Sequence, residues 1–438
     1  MSGPETTPRR AAAMILQRWA HGGGTIDRLR DDFLKKQSVW EERDRALLTE
    51  LTYGVVRNLS ALDRELEGFL SKGINSLDSS LLAILRVGLY QLRFLDRIPA
   101  HAAVDEAVQF TKEVRGKKSA GMVNAVLRRA VREAKPDSKS ASSEETYSEW
   151  RVKWADQWSD GKADELIRFY SVHPPVGLRR NLLRTASDEE WLSILRSEGV
   201  DPQPLPHRPG FAYARAVRPS NLASFQDGRT TVQDPAAGIP VELLDPQPGE
   251  RVLDLCGAPG GKAALIWEKM RGEGSLVSVD RDEQRTERIR EGLQRLGHDS
   301  VEVIASDILD LEIAPGDRVL IDVPCSGTGV AHRRADLAAR RSPADLVQMT
   351  LLQANLLDRA AELVKPGGVL VYSTCSLEPE ENQRRAADFD RRFEGRFIRG
   401  QVGDGIQPEW IVGQGEVMTW PPRDGMDGSY SVRWTKVE

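Results

Sequence analysis

Two thiols set in similar short loops are the residues best suited to covalent chemistry in this chain. Cys325 stands in Asp322-Val323-Pro324-Cys325-Ser326-Gly327-Thr328-Gly329, and Cys375 in Ser373-Thr374-Cys375-Ser376. Each loop follows an apolar run with strand character. Both thiols are therefore expected at the carboxyl edge of a sheet, where open α/β sheets bind ligands. A lone buried cysteine is more often a small core residue; two at one edge, among Ser, Thr, Gly and Pro, read as an active site. A thiol with a pKa of about 8.5 is a few per cent thiolate at neutral pH, and the thiolate is a strong nucleophile. One reaction that needs it is methylation of a pyrimidine at C5, where addition at C6 activates an otherwise unreactive carbon. Asp322 would then hydrogen-bond N4 and the protonated N3 of a cytosine. The residues alone leave open which cysteine attacks.

The third cysteine, Cys256, lies in 252–263, VLDLCGAPGGKA. A Walker loop is excluded, because GxxxxGK[ST] needs glycine where Cys256 stands and Ser or Thr where Ala263 stands. A dinucleotide GxGxxG also fails. What remains is a glycine-rich turn, Gly257-Ala258-Pro259-Gly260-Gly261, leading into a helix N-terminus, where a ligand can approach the backbone closely. The next strand ends in Asp280, 23 residues beyond Gly257, a place suited to bind two ribose hydroxyls. The third ends in Ser306-Asp307, where an adenine amino group would fall. A solvated strand end or a helix cap explains any one of these acids. Their order at successive strand ends favours a nucleoside without a phosphate cradle, and so S-adenosylmethionine.

The elements that must carry these loops alternate cleanly from residue 249 onward. Strands are expected at 251–255, 276–280, 301–304, 319–323 and 369–373, and a final antiparallel strand presents Tyr430, Val432 and Trp434 on one side. Ile289, Leu293 and Leu296 mark a helix between strands, and 344–365 a long one ended by Pro366-Gly367-Gly368. Such alternation implies a mostly parallel sheet covered on both faces. Residues 8–134 read as helical throughout. The run 81–92 is apolar almost all round, as a central bundle helix is; further helices are expected at 101–114 and 121–132. Residues 135–149 have almost nothing to bury and read as a linker. Between 150 and 238 the signals are mixed, with helices at 162–171 and 189–198 and a strand at 178–181. The expected organisation is an all-α domain over 1–138, a linker over 139–149, a small α+β connecting domain over 150–238, and an α/β Rossmann-like domain over 239–438.

Composition narrows the setting. No run of about 18 apolar residues exists, so no membrane span is expected. Three cysteines without CxxC spacing argue against a disulfide framework or a structural zinc, and no metal is expected. A cytoplasmic monomer is the expectation. The net charge of −5 is uneven: residues 1–140 carry 24 Lys and Arg against 18 Asp and Glu, net +6, which leaves −11 for the rest. A basic part on an acidic chain suits RNA, where phosphate contacts are local; a solvated helical surface explains the same charges.

At this point the chain resembles the RNA cytosine-5 methyltransferases of the NOL1/NOP2/Sun group, in particular the Sun (Fmu) type acting on bacterial 16S ribosomal RNA. The motifs are LDLCGAPGGK, SVDRDEQR, SDILD, LIDVPCSGTGV, KPGGVLVYSTCS and PEEN. Upstream, DRALLTELTYGVVRN, LRVGLYQLRFLDRIPAHAAVDEAV and VNAVLRR are similar to the NusB-like RNA-binding domain fused to that enzyme. The resemblance implies a class I methyltransferase domain with a mostly parallel seven-stranded sheet. It implies that Cys375 is the nucleophile on C6 and that Cys325 helps release the product. Cys256 to Lys262, Asp280, Asp307 and Asp322 match positions lining the cofactor and base pocket; Arg285 of SVDRDEQR joins them, and Lys262 also faces the base. Small-subunit ribosomal RNA is the implied partner. Transfer RNA, or a non-catalytic RNA-binding or antitermination role, are the alternatives. The chain departs from the pattern at Gly257, Ala263, Gly428-Ser429-Tyr430, and the run 332–336, which lacks the usual His-Pro-Asp. Arg333, Arg334, Arg340 and Arg341, just beyond the Cys325 loop, are placed for phosphates flanking a flipped base, or form a solvated basic face.

Overall fold

The computed structural model describes residues 6–37, 40–133, 147–159 and 161–437. The expected linker therefore lies mostly outside the described residues. The chain divides into two compact units, 1–172 with 334–343, and 173–333 with 344–438. This differs from the expected domains at two places. Residues 150–172 belong to the first unit, and 173–238 share a unit with the large sheet.

The first unit is helical. Its central helix, Ser79–Phe94, buries Leu81, Ala83, Ile84, Leu85, Val87, Leu89 and Tyr90. Asp78 caps it, its carboxylate accepting from Ser80 N and Leu81 N (3.0 and 3.2 Å), which satisfies two of the N–H groups a helix start leaves open. Helices Pro8–Ala20, Glu42–Arg57 and Ala100–Arg132 pack around it. The helices expected at 101–114 and 121–132 form one element, broken by non-helical backbone at Gly116 (φ 82°). Trp150 and Trp154 on helix Ser148–Gln157, with Tyr147 and Tyr170, form a buried aromatic cluster. Segment 334–343 also belongs here: Ala335 joins the core, Asp336 accepts from Trp19 Nε1 and Ile26 N (3.3 and 3.0 Å), and the Arg341 carbonyl accepts from Trp150 Nε1 (3.0 Å).

The second unit holds a nine-stranded sheet, not seven. Its strands are β1 (Arg251–Leu255), β2 (Ser275–Asp280), β3 (Glu302–Ala305), β4 (Gly316–Asp322), β5 (Val364–Thr374), β6 (Phe397–Arg399), β7 (Ile411–Gly413), β8 (Glu416–Met418) and β9 (Tyr430–Lys436). The order is β7-β8-β9-β5-β4-β1-β2-β3, with β6 also on β9. Strands β1 to β5 are parallel; β9 runs antiparallel to β5 as expected. The extra strands are the three-residue pieces β6, β7 and β8, too short to show a period-two pattern. Alternate residues serve two cores: Val252, Leu276, Leu320 and Val371 pack on one face, and Leu253, Val277, Val319 and Leu370 on the other. Helix Leu346–Glu362 ends before the Pro366-Gly367-Gly368 stop, which lies within β5.

A four-stranded antiparallel sheet, centred on Val176–Arg180, belongs to the same unit. Arg179 from that strand is fully buried against Glu268 of helix Gly261–Lys269, with a second bond at 2.9 Å, and His298 Nε2 lies 3.3 Å from the same carboxylate. Asn181 Nδ2 donates to the Gly228 and Leu296 carbonyls (2.8 and 3.1 Å). These buried polar ties make the expected connecting domain part of the large-sheet unit.

Candidate active site

Register brings the two cysteine loops together. Strands β4 and β5 are neighbours, and Asp322 pairs with Ser373 at their carboxyl ends. The chain then leaves each strand side by side, with Val323 N donating to Ser373 O (3.1 Å). Cys325 and Cys375 end with their sulfurs 3.3 Å apart, both as free thiols. The backbone reinforces this: Gly329 N donates to Cys375 O (3.0 Å) and Gly428 N to Gly329 O (2.9 Å). A Cβ on Gly329 would lie 2.2 Å from the Gly428 oxygen, so only glycine fits there. Two sulfurs this close cannot both ionise. Cys325 is the one held neutral, its pKa pushed well up by its hydrogen bond to Cys375, by burial, and by the charges of Cys375, Glu381 and Asp322. Across the contact one thiol donates to the other sulfur.

Beside the sulfurs, Lys262 Nζ donates to Asp322 Oδ2 (2.6 Å) and Ser373 Oγ to Asp322 Oδ1 (2.6 Å). Burial works against the Lys262 charge, but Asp322, with Cys375 and Asp254 near, outweighs it and raises its pKa. Lys262 is an ammonium within the field of the Cys375 sulfur.

The glycine turn forms as expected. Gly257 N donates to Val279 O (2.9 Å), Gly260 N closes onto Gly257 O (2.8 Å), and Gly260 takes φ 99° before the helix begins at Gly261. Ala258 N donates to Asp280 Oδ2 (3.3 Å); Arg285 approaches the same oxygen (3.4 Å) and donates to the Ala258 carbonyl (3.0 Å). Pro259 completes the turn. Cys256 has φ 61°, and burial, then Asp280, Asp322 and Asp254, push its thiol far up. It is a neutral turn residue and no nucleophile. Asp307 caps the turn Ile308–Asp310 through Leu309 N (3.0 Å), the plainer of the roles its type allows.

Sequence reasoning passed over Asp254, although it sits in the LDLCG motif. It is fully buried, its Oδ2 accepting from Ser278 Oγ (2.9 Å) while Oδ1 has no partner. Burial raises its pKa to about 6; the Ser278 hydrogen bond and Lys262 oppose this, and Asp322 and Asp280 add to it. Three carboxylates around one turn suit a positively charged ligand and oppose a phosphate. Glu381 and Asn382, in the PEEN motif, were also given no role; both are fully buried among the loop residues.

The four arginines divide between the two units. Arg333 lies in the second unit, its guanidinium clamped between Asp427 (2.6 Å) and Asp234 (2.7 Å) and donating to Pro175 O (2.8 Å). Its fork is committed, which corrects the expectation of a phosphate contact. Arg334, Arg340 and Arg341 are exposed residues of the first unit, Arg340 lying 3.5 Å from Asp336. Among the described residues, no group of three or more His, Cys, Asp or Glu is gathered to hold a metal, and no helix is long and apolar enough to cross a membrane.

Comparison with known proteins adds to this geometry. Residues 241–434 match the family described as 16S rRNA methyltransferase RsmB/F, and residues 6–132 match the NusB family. The Ribosomal RNA small subunit methyltransferase B of Photorhabdus laumondii is 34% identical, covering 92% of this chain and 93% of that protein. That of Pseudomonas putida is 35% identical, covering 89% and 90%. Among solved structures, the one described as PH0851 has a TM-score of 0.81 at 25% identity and covers 99% of both chains. A methyltransferase homologue from Pyrococcus horikoshii has a TM-score of 0.56 at 26% identity, covering 68% of this chain and all of that one.

Proposed function

Because this chain belongs to the ribosomal RNA small subunit methyltransferase B family of RNA methyltransferases, we propose that it methylates C5 of a cytosine in 16S ribosomal RNA through a covalent bond from Cys375 to C6. The observation that carries this reading is the pair of free sulfurs 3.3 Å apart beside the Lys262–Asp322 ion pair.

Each residue then has a definite task. Cys375 adds to C6 of the base. Asp322 accepts from the N4 amino group, and from N3–H once that nitrogen has taken a proton from solvent, which returns there as the ring double bond re-forms; Lys262 is the ammonium held against it. S-adenosylmethionine, when bound, supplies a methyl group on a positively charged sulfur. The turn 256–262 would hold it, with Asp280 toward its ribose; the acidic surroundings and the unpartnered Asp254 Oδ1 fit such a cation. Once Cys375 is bonded to carbon it no longer accepts from Cys325 and no longer carries charge. Two of the influences that keep Cys325 protonated are then weakened, so it can take the C5 proton as its own passes to solvent. The electrons of that C–H bond re-form the ring double bond, the C6–S bond breaks, and Cys375 leaves as thiolate. Arg334, Arg340 and Arg341 are the proposed phosphate contacts; small-subunit RNA is the proposed partner.

The test is transfer of labelled methyl from S-adenosylmethionine to unmodified small-subunit RNA, with transfer RNA alongside. Cys375→Ser should abolish transfer, and Cys325→Ala should accumulate a protein–RNA adduct on denaturing gels. Transfer surviving Cys375→Ser refutes the nucleophile, and transfer RNA as the better acceptor refutes the substrate.

A further inference from the structure

We propose that Glu381 and Asn382, consecutive residues of the turn after β5, are positioning residues that together set the spacing of the Cys325 and Cys375 sulfurs. Neither touches the reacting base in the reading above. Asn382 bonds to the residues on both sides of Cys375, and Glu381 to Ser326 beside Cys325 and, through Gln353, to Pro324 before it.

Asn382 brackets Cys375. Its Oδ1 accepts from Thr374 Oγ1 (2.7 Å) and its Nδ2 donates to Ser376 O (2.8 Å), so the residues before and after the thiol hang from one planar group. Only a carboxamide offers an acceptor and a donor side by side in this way. Glu381 does the corresponding work for Cys325. Its Oε2 accepts from Ser326 Oγ (2.5 Å), and its Oε1 from Ser326 N (2.8 Å) and Gln353 Nε2 (2.9 Å). The same Gln353 nitrogen donates to Pro324 O (3.0 Å). Pro324 and Ser326 flank Cys325, so this thiol too is held from both sides. Tyr372 Oη fixes the Glu381 backbone through its carbonyl (2.7 Å), and Ser326 Oγ lies 3.0 Å from Ser376 Oγ, joining the two loops. Since the two holders are adjacent in the chain, one peptide unit spans the distance between the cysteine loops.

Glu381 and Asn382 thus act through hydrogen bonds to the residues beside the thiols, and so set where each sulfur sits.

The effect on turnover rests on the covalent reading of the site; the effect on the thiols does not, and the experiment separates them. In the full-length protein, iodoacetamide alkylation with peptide mass spectrometry first confirms that Cys325 and Cys375 are free thiols. Phenylarsine oxide, which bridges close thiol pairs, serves as a probe of their spacing. Glu381→Ala, which removes the acceptors for Ser326 and Gln353, should weaken phenylarsine oxide binding at least tenfold. Asn382→Ala should weaken phenylarsine oxide binding at least tenfold and lower kcat at least tenfold, with KM for S-adenosylmethionine within twofold. If Asn382→Ala fails to fold, Asn382→Asp keeps the volume and the acceptor but loses the donor to Ser376, and should weaken the probe likewise. Wild-type probe affinity in a folded Glu381→Ala or Asn382 variant overturns the proposal. If the thiol readouts move while the wild-type protein methylates no RNA, the positioning role stands and the covalent function falls.

Discussion

Gly329→Ala is the sharpest perturbation of the sulfur pair that leaves every reactive group in place. The added Cβ would meet Gly428 O at 2.2 Å, Gly428 C at 2.7 Å and Cys375 O at 2.9 Å. All three are backbone atoms, so no side chain can swing away. Restoring ordinary contact at 3.4 Å requires the Cys325 loop to withdraw by about 1 Å, which also stretches the bond from Gly329 N to Cys375 O (3.0 Å). A displacement of about 1 Å at a reacting centre costs on the order of 10²-fold in rate. Overpacking of this kind costs roughly 1–3 kcal/mol in stability, a fall in Tm of roughly 2–4 °C per kcal/mol for a unit of this size. The control is Gly292→Ala, inside helix Glu283–Leu296 with nothing within 4 Å; it should gain about 0.5–1 kcal/mol and leave transfer unchanged. The assay is single-turnover methyl transfer per mole of folded protein, with Tm by calorimetry. A Gly329→Ala protein that folds and transfers methyl within about threefold of wild type refutes the claim that backbone contact between the loops sets the chemistry.

Glu268→Gln leaves the buried Arg179 guanidinium without its counterion, and should destabilise by about 3–5 kcal/mol, roughly a 10 °C fall in Tm; a fall under about 2 °C would mean the pair does not tie the small sheet to its neighbour. Asp254 has a folded pKa of about 6 against an ordinary 3.8, so its favourable contribution is complete below pH 4 and is lost as pH rises through 6. Asp254→Asn should therefore gain up to about 3 kcal/mol over wild type above pH 6, with the difference shrinking toward pH 4; denaturant titration across that range checks it, and a gap that widens at low pH sinks it. Arg340→Ala and Arg341→Ala should each reduce the slope of log affinity for RNA against log salt by about 0.7–0.9, whereas Arg333→Ala should act on stability; equal slopes in all three variants would contradict the assignment.

How much of this was legible in the chain depends on what each residue's neighbours must be. Strand β1 was readable because both sheet faces are covered, which makes VLDL nearly continuous in apolar character apart from Asp254. The glycine turn was readable because the positive φ at Gly260 excludes most side chains. The roles of Asp254, Glu381 and Asn382 were not, because a buried polar residue looks like a surface one until its partners are known. Arg333 shows the same limit: two carboxylates about 100 residues away on either side, Asp234 and Asp427, decide whether it binds RNA or the protein itself. The unit boundaries were hidden for a similar reason. Composition marked 135–149 as a break, yet the Trp150 bond to the Arg341 carbonyl and the Arg179–Glu268 pair tie together segments far apart in the chain.

The core of the sheet brings the two sulfurs to one stretch of its edge before the loop bonds set their spacing. A strand advances about 3.3 Å per residue, so a two-residue slip of β5 against β4 would carry Cys375 about 7 Å along the edge and part the thiols. A one-residue slip would turn every side chain of β5 to the other face, burying Ser373 and Thr374 in the wrong sense and expelling Leu370 and Tyr372 from their core. The two cores therefore fix the register from both sides: Val369 and Val371 commit to one face, Leu370 and Tyr372 to the other. With that register locked, Asp322 must lie beside Ser373, and the loops that follow need only a few buried hydrogen bonds to close the last few ångströms. Large-to-small changes in β5, far from any reacting atom, should on this account loosen the thiol pair before they unfold the unit, and weaker phenylarsine oxide binding by a folded Val371→Ala protein is the measurement that tests it.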